Sequence, residues 1–155
     1  MTGGDHAIPE VMRLLTVLAT GRRVAEIGSA YGATAAAMAA TARDVVTVEI
    51  DPERAEVAAE RLADFRNVEL LVGDWRDHLP QRAPFDLVFV DGGGAKLDPI
   101  TPELVERGGL FFMDDFTPDW PGPDPVRERW DSLEGIIVTE ILTTPTTAAL
   151  IAAKR

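Results

Sequence analysis

The sequence contains no cysteine and only two histidines, His6 and His78. Disulfides, thiolate nucleophiles and cysteine-ligated zinc are therefore excluded, and a metal site built from several histidines is disfavoured. No apolar run approaches the roughly 20 residues that span a bilayer. The segment from Met1 to His6 lacks the basic and apolar regions of a signal peptide, so we expect a cytoplasmic protein.

Basic residues are also scarce, with 15 Lys and Arg against 26 Asp and Glu, which gives a net charge of −11. Binding to nucleic acid depends on cationic side chains that neutralise phosphates, so a nucleic-acid partner is disfavoured. An anionic membrane surface is disfavoured for the same reason. The length of 155 residues and the 46% hydrophobic content predict one globular domain over residues 1–155.

Short apolar strands alternate with helices along the chain. Strands are predicted at 23–27, 44–50, 68–72, 85–90 and 110–113, and helices at 9–19, 33–41, 51–65 and 99–106. Gly108 and Gly109 are expected to end the last of these helices, and a short helix is predicted at 126–132. The alternation predicts an α/β sandwich with a mainly parallel sheet between two helical layers. Segments 136–142 and 147–153 lack room for an intervening helix, so we expect an antiparallel pair at the sheet end.

Acidic residues and glycines follow the predicted strands at the edge where parallel sheets bind ligands. The first loop, Glu26-Ile-Gly28-Ser-Ala-Tyr-Gly32, is not G-x-G-x-x-G, and the acid in it repels a pyrophosphate and favours a cationic ligand. Glu49 lies 21 residues after Gly28, a spacing typical of a carboxylate that binds ribose hydroxyls. Asp74 and Trp75 offer an acceptor and an aromatic face to a purine.

These motifs together resemble the class I S-adenosylmethionine (SAM)-dependent methyltransferases, and most closely their catechol and caffeoyl-CoA O-methyltransferase type. The resemblance covers about residues 22–116. It includes Glu26-Ile-Gly28-x-x-x-Gly32-x-Thr34, Val48-Glu49-Ile50-Asp51, Gly73-Asp74, Phe85-Asp86-Leu-Val-Phe-Val-Asp91, Gly108-Gly109 and Asp114-Asp115. It implies a Rossmann-like seven-stranded sheet of order 3-2-1-4-5-7-6 with an antiparallel terminal strand.

The resemblance also implies roles for individual residues. Gly28, Ser29 and Gly32 would surround the methionine part of SAM, with Glu26 near its amino group, Glu49 at the ribose, and Asp74 and Trp75 at the adenine. The full set of implied cofactor residues is Glu26, Gly28, Ser29, Tyr31, Gly32, Glu49, Ile50, Gly73, Asp74, Trp75 and Asp91. Asp91, Asp114 and Asp115 match positions that hold a divalent cation in the metal-dependent members, and carboxylate oxygens suit Mg²⁺.

Two departures from that type bear on the chemistry. Gly94 stands where the metal-dependent members carry a lysine base, and Lys96, two residues further on, is a weak substitute for the catalytic base; His78 is a weaker one. Only 25 residues precede Glu26, so we expect a substrate pocket that is open, completed by a second copy in a homodimer, or absent. Trp120 and Trp130, near the proline-rich segment 117–125, either wall that pocket or pack in the core.

For several of these residues the alternative is a purely structural role, because acids at strand ends commonly cap helices and turns. Asp51 is expected to be a helix cap, and Asp74 and the Asp91, Asp114, Asp115 set have the same alternative. We expect methyl transfer from SAM to a hydroxyl oxygen of a small molecule, with or without Mg²⁺. The alternatives are a metal-independent N- or O-methyltransferase, a non-catalytic module that binds SAM or S-adenosylhomocysteine (SAH), and a nicotinamide-dependent oxidoreductase.

Overall fold

The computed structural model describes residues 6–92 and 94–155 and contains one seven-stranded sheet. The strands are β1 Arg23–Ile27, β2 Asp44–Glu49, β3 Val68–Val72, β4 Phe85–Val90, β5 Val105–Phe116, β6 Ile136–Thr144 and β7 Thr147–Lys154. The helices are α1 Pro9–Ala19, α2 Ala33–Ala39, α3 Pro52–Leu62, α4 Trp75–His78 and α5 Pro125–Ser132. The strand order is β3-β2-β1-β4-β5-β7-β6, as expected from the resemblance.

Strands β1 to β5 are parallel and the last two are antiparallel, which confirms the mixed sheet. The central strand β4 is buried along almost its whole length, because helices cover both faces of a parallel sheet. Helices α1, α2 and α3 pack on one face, where Leu15, Met38 and Phe89 are completely buried. Helices α4 and α5 lie on the other face, around Trp130 and Phe111.

Local sequence signals place the start of α3 as predicted. Asp51 caps the helix: its carboxylate accepts hydrogen bonds from the backbone N–H groups of Glu53 (2.9 Å) and Arg54 (3.4 Å). Pro52 occupies the first turn, where its missing N–H has no cost. The helix ends at Leu62 rather than near Phe65, and α2 ends at Ala39 rather than Thr41.

The predicted helix over 99–106 is wrong. The chain forms two single 3₁₀ turns, Ala95–Leu97 and Thr101–Leu104, and then enters β5 at Val105, which pairs with Phe85. Gly108 and Gly109 therefore do not end a helix. They lie inside β5, where the pairing with β4 is irregular between Phe85 and Leu87 and Gly108 adopts a positive φ of 88°.

The longer β5 changes the position of the acidic pair near its end. Asp114 and Asp115 belong to the strand, whereas the strand predicted from the sequence ended at residue 113. Asp115 adopts a positive φ of 65°, in the left-handed region that Asp tolerates better than most residues. The pairing with β7 is irregular between Met113 and Phe116, so this end of β5 is bent out of the regular ladder.

No helix among the described residues is long and apolar enough to cross a membrane. The prediction that the N-terminal segment is not a signal peptide concerns mainly Met1–Asp5, which lie outside the described residues. The cytoplasmic location stays a prediction.

Candidate active site

A cavity of about 400 Å³ opens beyond the carboxyl ends of β1, β2, β3 and β4. It lies where ligands bind in open parallel sheets. Its walls combine apolar groups with carboxylates and two arginines. The lining residues are His6, Ile27, Gly28, Ala30, Val48, Glu49, Ile50, Arg54, Gly73, Asp74, Trp75, Arg76, Asp91 and Gly92.

The glycine loop after β1 is closely packed against its neighbours. Gly28 has a φ of +94°, and a Cβ on it would lie 3.4 Å from the Cα of Gly92 in the loop after β4. Gly32 caps α2 in the left-handed conformation, and its Cβ would come within 3.2 Å of Ala58 in α3. Gly28 therefore keeps backbone close to the cavity, whereas Gly32 allows helix packing and does not line the cavity.

Glu26 is completely buried in β1, directly before Ile27 and Gly28, which line the cavity. Its Oε2 accepts a hydrogen bond of 2.6 Å from the Thr47 hydroxyl on β2. Its Oε1 is buried with no hydrogen-bond partner among the described residues. Burial raises the pKa of Glu26 to about 8 against the Thr47 hydrogen bond, which lowers it, and the charges of Asp91, Glu49 and Asp114 add to the rise.

Glu49 connects the glycine loop to the start of α3. One carboxylate oxygen accepts from the backbone N–H of Ala30 at 2.7 Å, and the other accepts from that of Asp51 at 3.0 Å. Each oxygen keeps a second lone pair, so these bonds leave room for a ribose hydroxyl. Ala30 adopts a φ of +45°, and its hydrogen bond to Glu49 helps to hold this uncommon conformation.

The predicted purine contacts lie on one wall of the cavity. Trp75 is buried, and its indole Nε1 has no partner among the described residues. Asp74 caps the single turn of α4 through the backbone N–H of Arg76 at 2.9 Å and pairs with the Arg76 side chain. Ile50 is 71% exposed on the cavity wall, which leaves an apolar surface for a ligand.

Asp91, Asp114 and Asp115 form the acidic cluster, in which one oxygen of each lies within 4.8 Å of the others. Asp114 is buried, and its Oδ1 has no partner among the described residues. Burial, with the charges of Asp91 and Asp115, raises the pKa of Asp114 to about 7. Burial also raises the pKa of Asp91, and Asp91 lines the cavity as well.

Lys96 lies beside the acidic cluster but does not line the cavity. Its Nζ donates a 2.6 Å hydrogen bond to the main-chain carbonyl of Asp114 and lies 5.0 Å from the centre of the Phe116 ring. The main-chain carbonyl of Lys96 accepts a hydrogen bond of 2.8 Å from the indole N–H of Trp130. Lys96 is therefore tied to both β5 and α5.

The remaining sequence candidates do not line the cavity. Trp130 is completely buried and packs edge-on to Phe111, so it belongs to the core and does not wall a pocket. Trp120 is 54% exposed on the segment after β5. His78 bonds the carbonyl of Val72 at 3.1 Å and lies outside the cavity wall, which leaves nothing to support a role as base.

Besides Glu26 and Gly32, two further predicted cofactor residues, Ser29 and Tyr31, lie outside the cavity wall. Ser29 is buried and hydrogen-bonded to Thr47. The main-chain carbonyl of Tyr31 accepts from Arg61 at 2.8 Å, and its ring lies beneath the guanidinium of Arg54. Their roles in cofactor binding stay predictions.

Sequence reasoning missed four polar or charged side chains. His6, Arg54 and Arg76 line the cavity, although none of them follows a strand directly. Thr47 faces Glu26 because the two are partners in the parallel register of β1 and β2. Only Thr47 carried a signal: it lies two positions before Glu49, and so on the same side of β2.

Comparison with known proteins agrees with this geometry. Residues 25–116, more than half of the chain, match the family described as a methyltransferase domain. The chain therefore belongs to this methyltransferase domain family. The membership and the strand order confirm the class I methyltransferase fold that the resemblance implied.

Curated relatives add a more specific similarity. The chain is 36% identical over 94 residues to protein-L-isoaspartate O-methyltransferase of Gloeobacter violaceus, which covers 59% of this chain and 46% of that protein. It is 30% identical over 130 residues to the enzyme of the same name from Ignicoccus hospitalis, which covers 81% of this chain and 61% of that protein. The chain thus spans about half the length of the curated relatives it matches.

Solved structures match nearly the whole chain. The O-methyltransferase TomG from Streptomyces achromogenes, involved in tomaymycin synthesis and solved with SAM, has a TM-score of 0.79 at 25% identity, covering 98% of this chain and 82% of that one. Cofactor-bound Rv0187 from MTB has a TM-score of 0.80 at 27% identity, covering 97% and 82%. An O-methyltransferase from Bacillus cereus, solved with SAH, shares the fold, with a TM-score of 0.80 at 19% identity over 98% and 84%.

Proposed function

We propose that this protein transfers the methyl group of SAM to a hydroxyl oxygen of a small molecule, with a divalent cation at Asp91, Asp114 and Asp115. The proposal rests mainly on the position of Asp91, which both lines the cavity and belongs to the acidic cluster. One side chain thus joins a cofactor site to an acceptor site.

The cavity fits a cationic nucleoside such as SAM better than a dinucleotide. Glu49, Asp74 and Asp91 bring negative charge to its wall, which favours a sulfonium and an ammonium group and repels a pyrophosphate. The two lining arginines are engaged, since Arg54 pairs with Asp51 and Arg76 pairs with Asp74 and Asp98. This arrangement counts against a nicotinamide dinucleotide.

The acidic cluster fits a hard divalent cation. Three carboxylates within 4.8 Å supply the oxygen ligands that Mg²⁺ prefers, and Asp114 Oδ1 is buried without a partner among the described residues. Three acids held this close repel one another, and a cation would relieve that repulsion. A bound divalent cation would lower the pKa of an acceptor hydroxyl and so make it a better nucleophile.

The protein's own residues then supply position. Glu49, together with the part of the wall that contains Ile50 and Trp75, is proposed to hold the nucleoside. Glu26 is proposed to hold the amino group of the methionine part. Asp91 lies between the cavity and the cluster, so an acceptor oxygen held there is close to the transferred methyl group. In-line transfer forms the oxygen–carbon bond as the carbon–sulfur bond breaks, and alignment contributes most of the acceleration. Lys96 remains a candidate to accept the hydroxyl proton.

The acceptor is the point where the relatives suggest a second candidate. The curated relatives are named protein-L-isoaspartate O-methyltransferases, whose acceptor is a carboxylate. A carboxylate approaching Asp91, Asp114 and Asp115 meets three acids, with Lys96 as the nearby cation. The electrostatics therefore favour a neutral hydroxyl acceptor, and adjacent hydroxyls would engage a cation best.

The test is an acceptor screen with the purified protein and SAM, in Mg²⁺ and in chelator. Catechols, hydroxamates, phenols, amines and an isoaspartyl peptide are incubated, and methylated products are identified by mass spectrometry. We expect methylation of adjacent-oxygen acceptors in Mg²⁺ and its loss in chelator. Asp114→Asn should lower turnover by on the order of 100-fold, because it removes a ligand charge.

Asp64→Asn is the matched control, since Asp64 is exposed beyond the end of α3, on the edge of the sheet away from the cavity. It should leave turnover unchanged. Turnover that survives both chelator and Asp114→Asn would favour the metal-independent alternative. Methylation of the isoaspartyl peptide alone would replace the small-molecule acceptor, and SAM binding without any product would favour the binding module. A homodimer that completes the acceptor site stays a prediction.

A further inference from the structure

A chain of three hydrogen-bonded, buried polar side chains links the glycine loop to β1 and β2. Ser29 is hydrogen-bonded to Thr47, and Thr47 donates to Glu26 Oε2 at 2.6 Å. All three residues are at most 3% exposed. Thr47 has an apolar valine on each side in β2, so its hydroxyl is an exception in a strand that otherwise packs in the core.

The direction of the hydrogen bonds follows from the number of protons. Thr47 has one hydroxyl proton, and it is committed to Glu26 Oε2. When Glu26 is charged and can only accept, the Ser29 hydroxyl therefore donates to Thr47. This arrangement satisfies Oε2 and leaves Oε1 of Glu26 buried with no partner among the described residues. An unsatisfied buried acceptor is unfavourable, so this oxygen is a site for a donor from a ligand.

The chain is anchored at the cavity wall. Val48, which follows Thr47, accepts backbone hydrogen bonds from Gly28 at 2.9 Å and Ser29 at 3.1 Å. Gly28 and Val48 both line the cavity. A shift of Thr47 would therefore move Glu26 relative to that wall. Burial raises the pKa of the Glu26 carboxyl and the Thr47 hydrogen bond opposes this rise, so Thr47 favours the charged form that attracts a cation.

We propose that Thr47 is a positioning residue for the cofactor: its hydroxyl holds Glu26 Oε2 so that Oε1 remains available to the ammonium group of the amino-acid end. This inference rests on the proposed function insofar as the cavity takes SAM. It assigns to Thr47 selectivity for the amino-acid part of the ligand and no effect on the nucleoside part.

The test compares two ligands by calorimetry. SAH carries the amino-acid part, and 5′-methylthioadenosine has the same nucleoside without it. Thr47→Val keeps the shape and the β-branch but removes the hydroxyl. We expect it to weaken SAH about 10-fold or more, as is typical for a hydrogen bond to a charged group, and to leave methylthioadenosine within about twofold. Thr47→Ser restores the hydroxyl and should restore SAH affinity.

Thr41→Val is the control for losing a threonine hydroxyl that makes a side-chain hydrogen bond in a partly buried position. Thr41 bonds the carbonyl of Thr16 at 2.6 Å, beyond α2 and away from the cavity, so both affinities should stay at the wild-type value. Ser29→Ala provides a second variant on the chain, with a smaller loss confined to SAH, and tests the proposal even if Thr47→Val fails to fold.

The outcomes separate this inference from the proposed function. Equal losses for both ligands, no loss, or no rescue by Thr47→Ser would each overturn the role of Thr47 and leave methyl transfer standing. A selective loss of SAH in a protein that methylates no acceptor would support Thr47 and overturn the proposed function. Failure of the wild-type protein to bind either ligand would overturn both.

Discussion

At the scale of single residues, the unusual group is an acid in the centre of the sheet. Glu26 is completely buried, with its pKa raised from 4.5 to about 8 by burial. An acid whose pKa is raised in the folded state stabilises the fold only while it is protonated in both states. Its contribution is complete below pH 4.5 and is lost as the pH rises toward 8. At neutral pH the buried Glu26 therefore lowers the free energy of unfolding relative to a side chain that does not ionise.

Glu26→Gln should reveal that cost. The amide cannot ionise, so between pH 5 and 8 the free energy of unfolding should fall less steeply in the variant than in the wild type. The difference in slope should approach about 1.4 kcal/mol per pH unit. Urea unfolding across this range measures it. Asp91 and Asp114 are present in both proteins, so their contribution is common to the two curves apart from their repulsion with Glu26. Parallel curves would show that Glu26 ionises normally.

At the scale of secondary-structure elements, β5 decides where the acidic cluster lies. The strand begins at Val105, which pairs with Phe85 of β4, and regular pairing resumes at Leu110 after the two glycines. A Cβ on Gly109 would lie 2.7 Å from the Cβ of Val105 and 3.2 Å from the carbonyl of Phe85. Gly108 has open space around it but a φ of +88°. The two glycines are thus required for different reasons, close packing and backbone conformation.

Alanine at these two positions should separate the reasons. Gly109→Ala should lower the free energy of unfolding by about 2 kcal/mol because the methyl group clashes in a packed region. Gly108→Ala should cost about 1 kcal/mol through backbone strain alone. Urea unfolding of both variants gives the comparison. A smaller cost for Gly109→Ala than for Gly108→Ala would argue against the crowding seen around Gly109.

At the scale of the whole molecule, the central strands converge on one cavity, so its ligand should stabilise the entire fold. SAH at 100 times its dissociation constant should add about 2.7 kcal/mol to the free energy of unfolding. For a chain of this size this corresponds to a rise in melting temperature of about 5–10 °C.

NAD⁺ is the matched comparison, because it also carries an adenosine but adds a pyrophosphate. It should leave the melting temperature unchanged at the same concentration. Scanning calorimetry measures both ligands in parallel. A rise with NAD⁺ and none with SAH would revive the oxidoreductase alternative.

The sequence alone determined the order of elements and the edge at which the chemistry lies. The alternation of apolar strands and helices requires a parallel sheet, and parallel strands deliver their carboxyl ends to one edge. Glu49, Asp74 and Asp91 could therefore be predicted to share a wall, and they do. The cap at Asp51 was predictable because its hydrogen bonds reach only two and three residues along the chain.

Only the tertiary structure decided what depends on register and close packing. The pairing of Glu26 with Thr47 joins residues on different strands, and their alignment is set by how β1 and β2 lie together. The segment after β4 had the composition of a helix, but the pairing of Val105 with Phe85 draws it into β5. The sequence left Trp130 as either a pocket wall or a core residue, and the structure makes it core because α5 packs it against Phe111. Contacts between residues distant in sequence are fixed by the fold as a whole, and no local pattern encodes them.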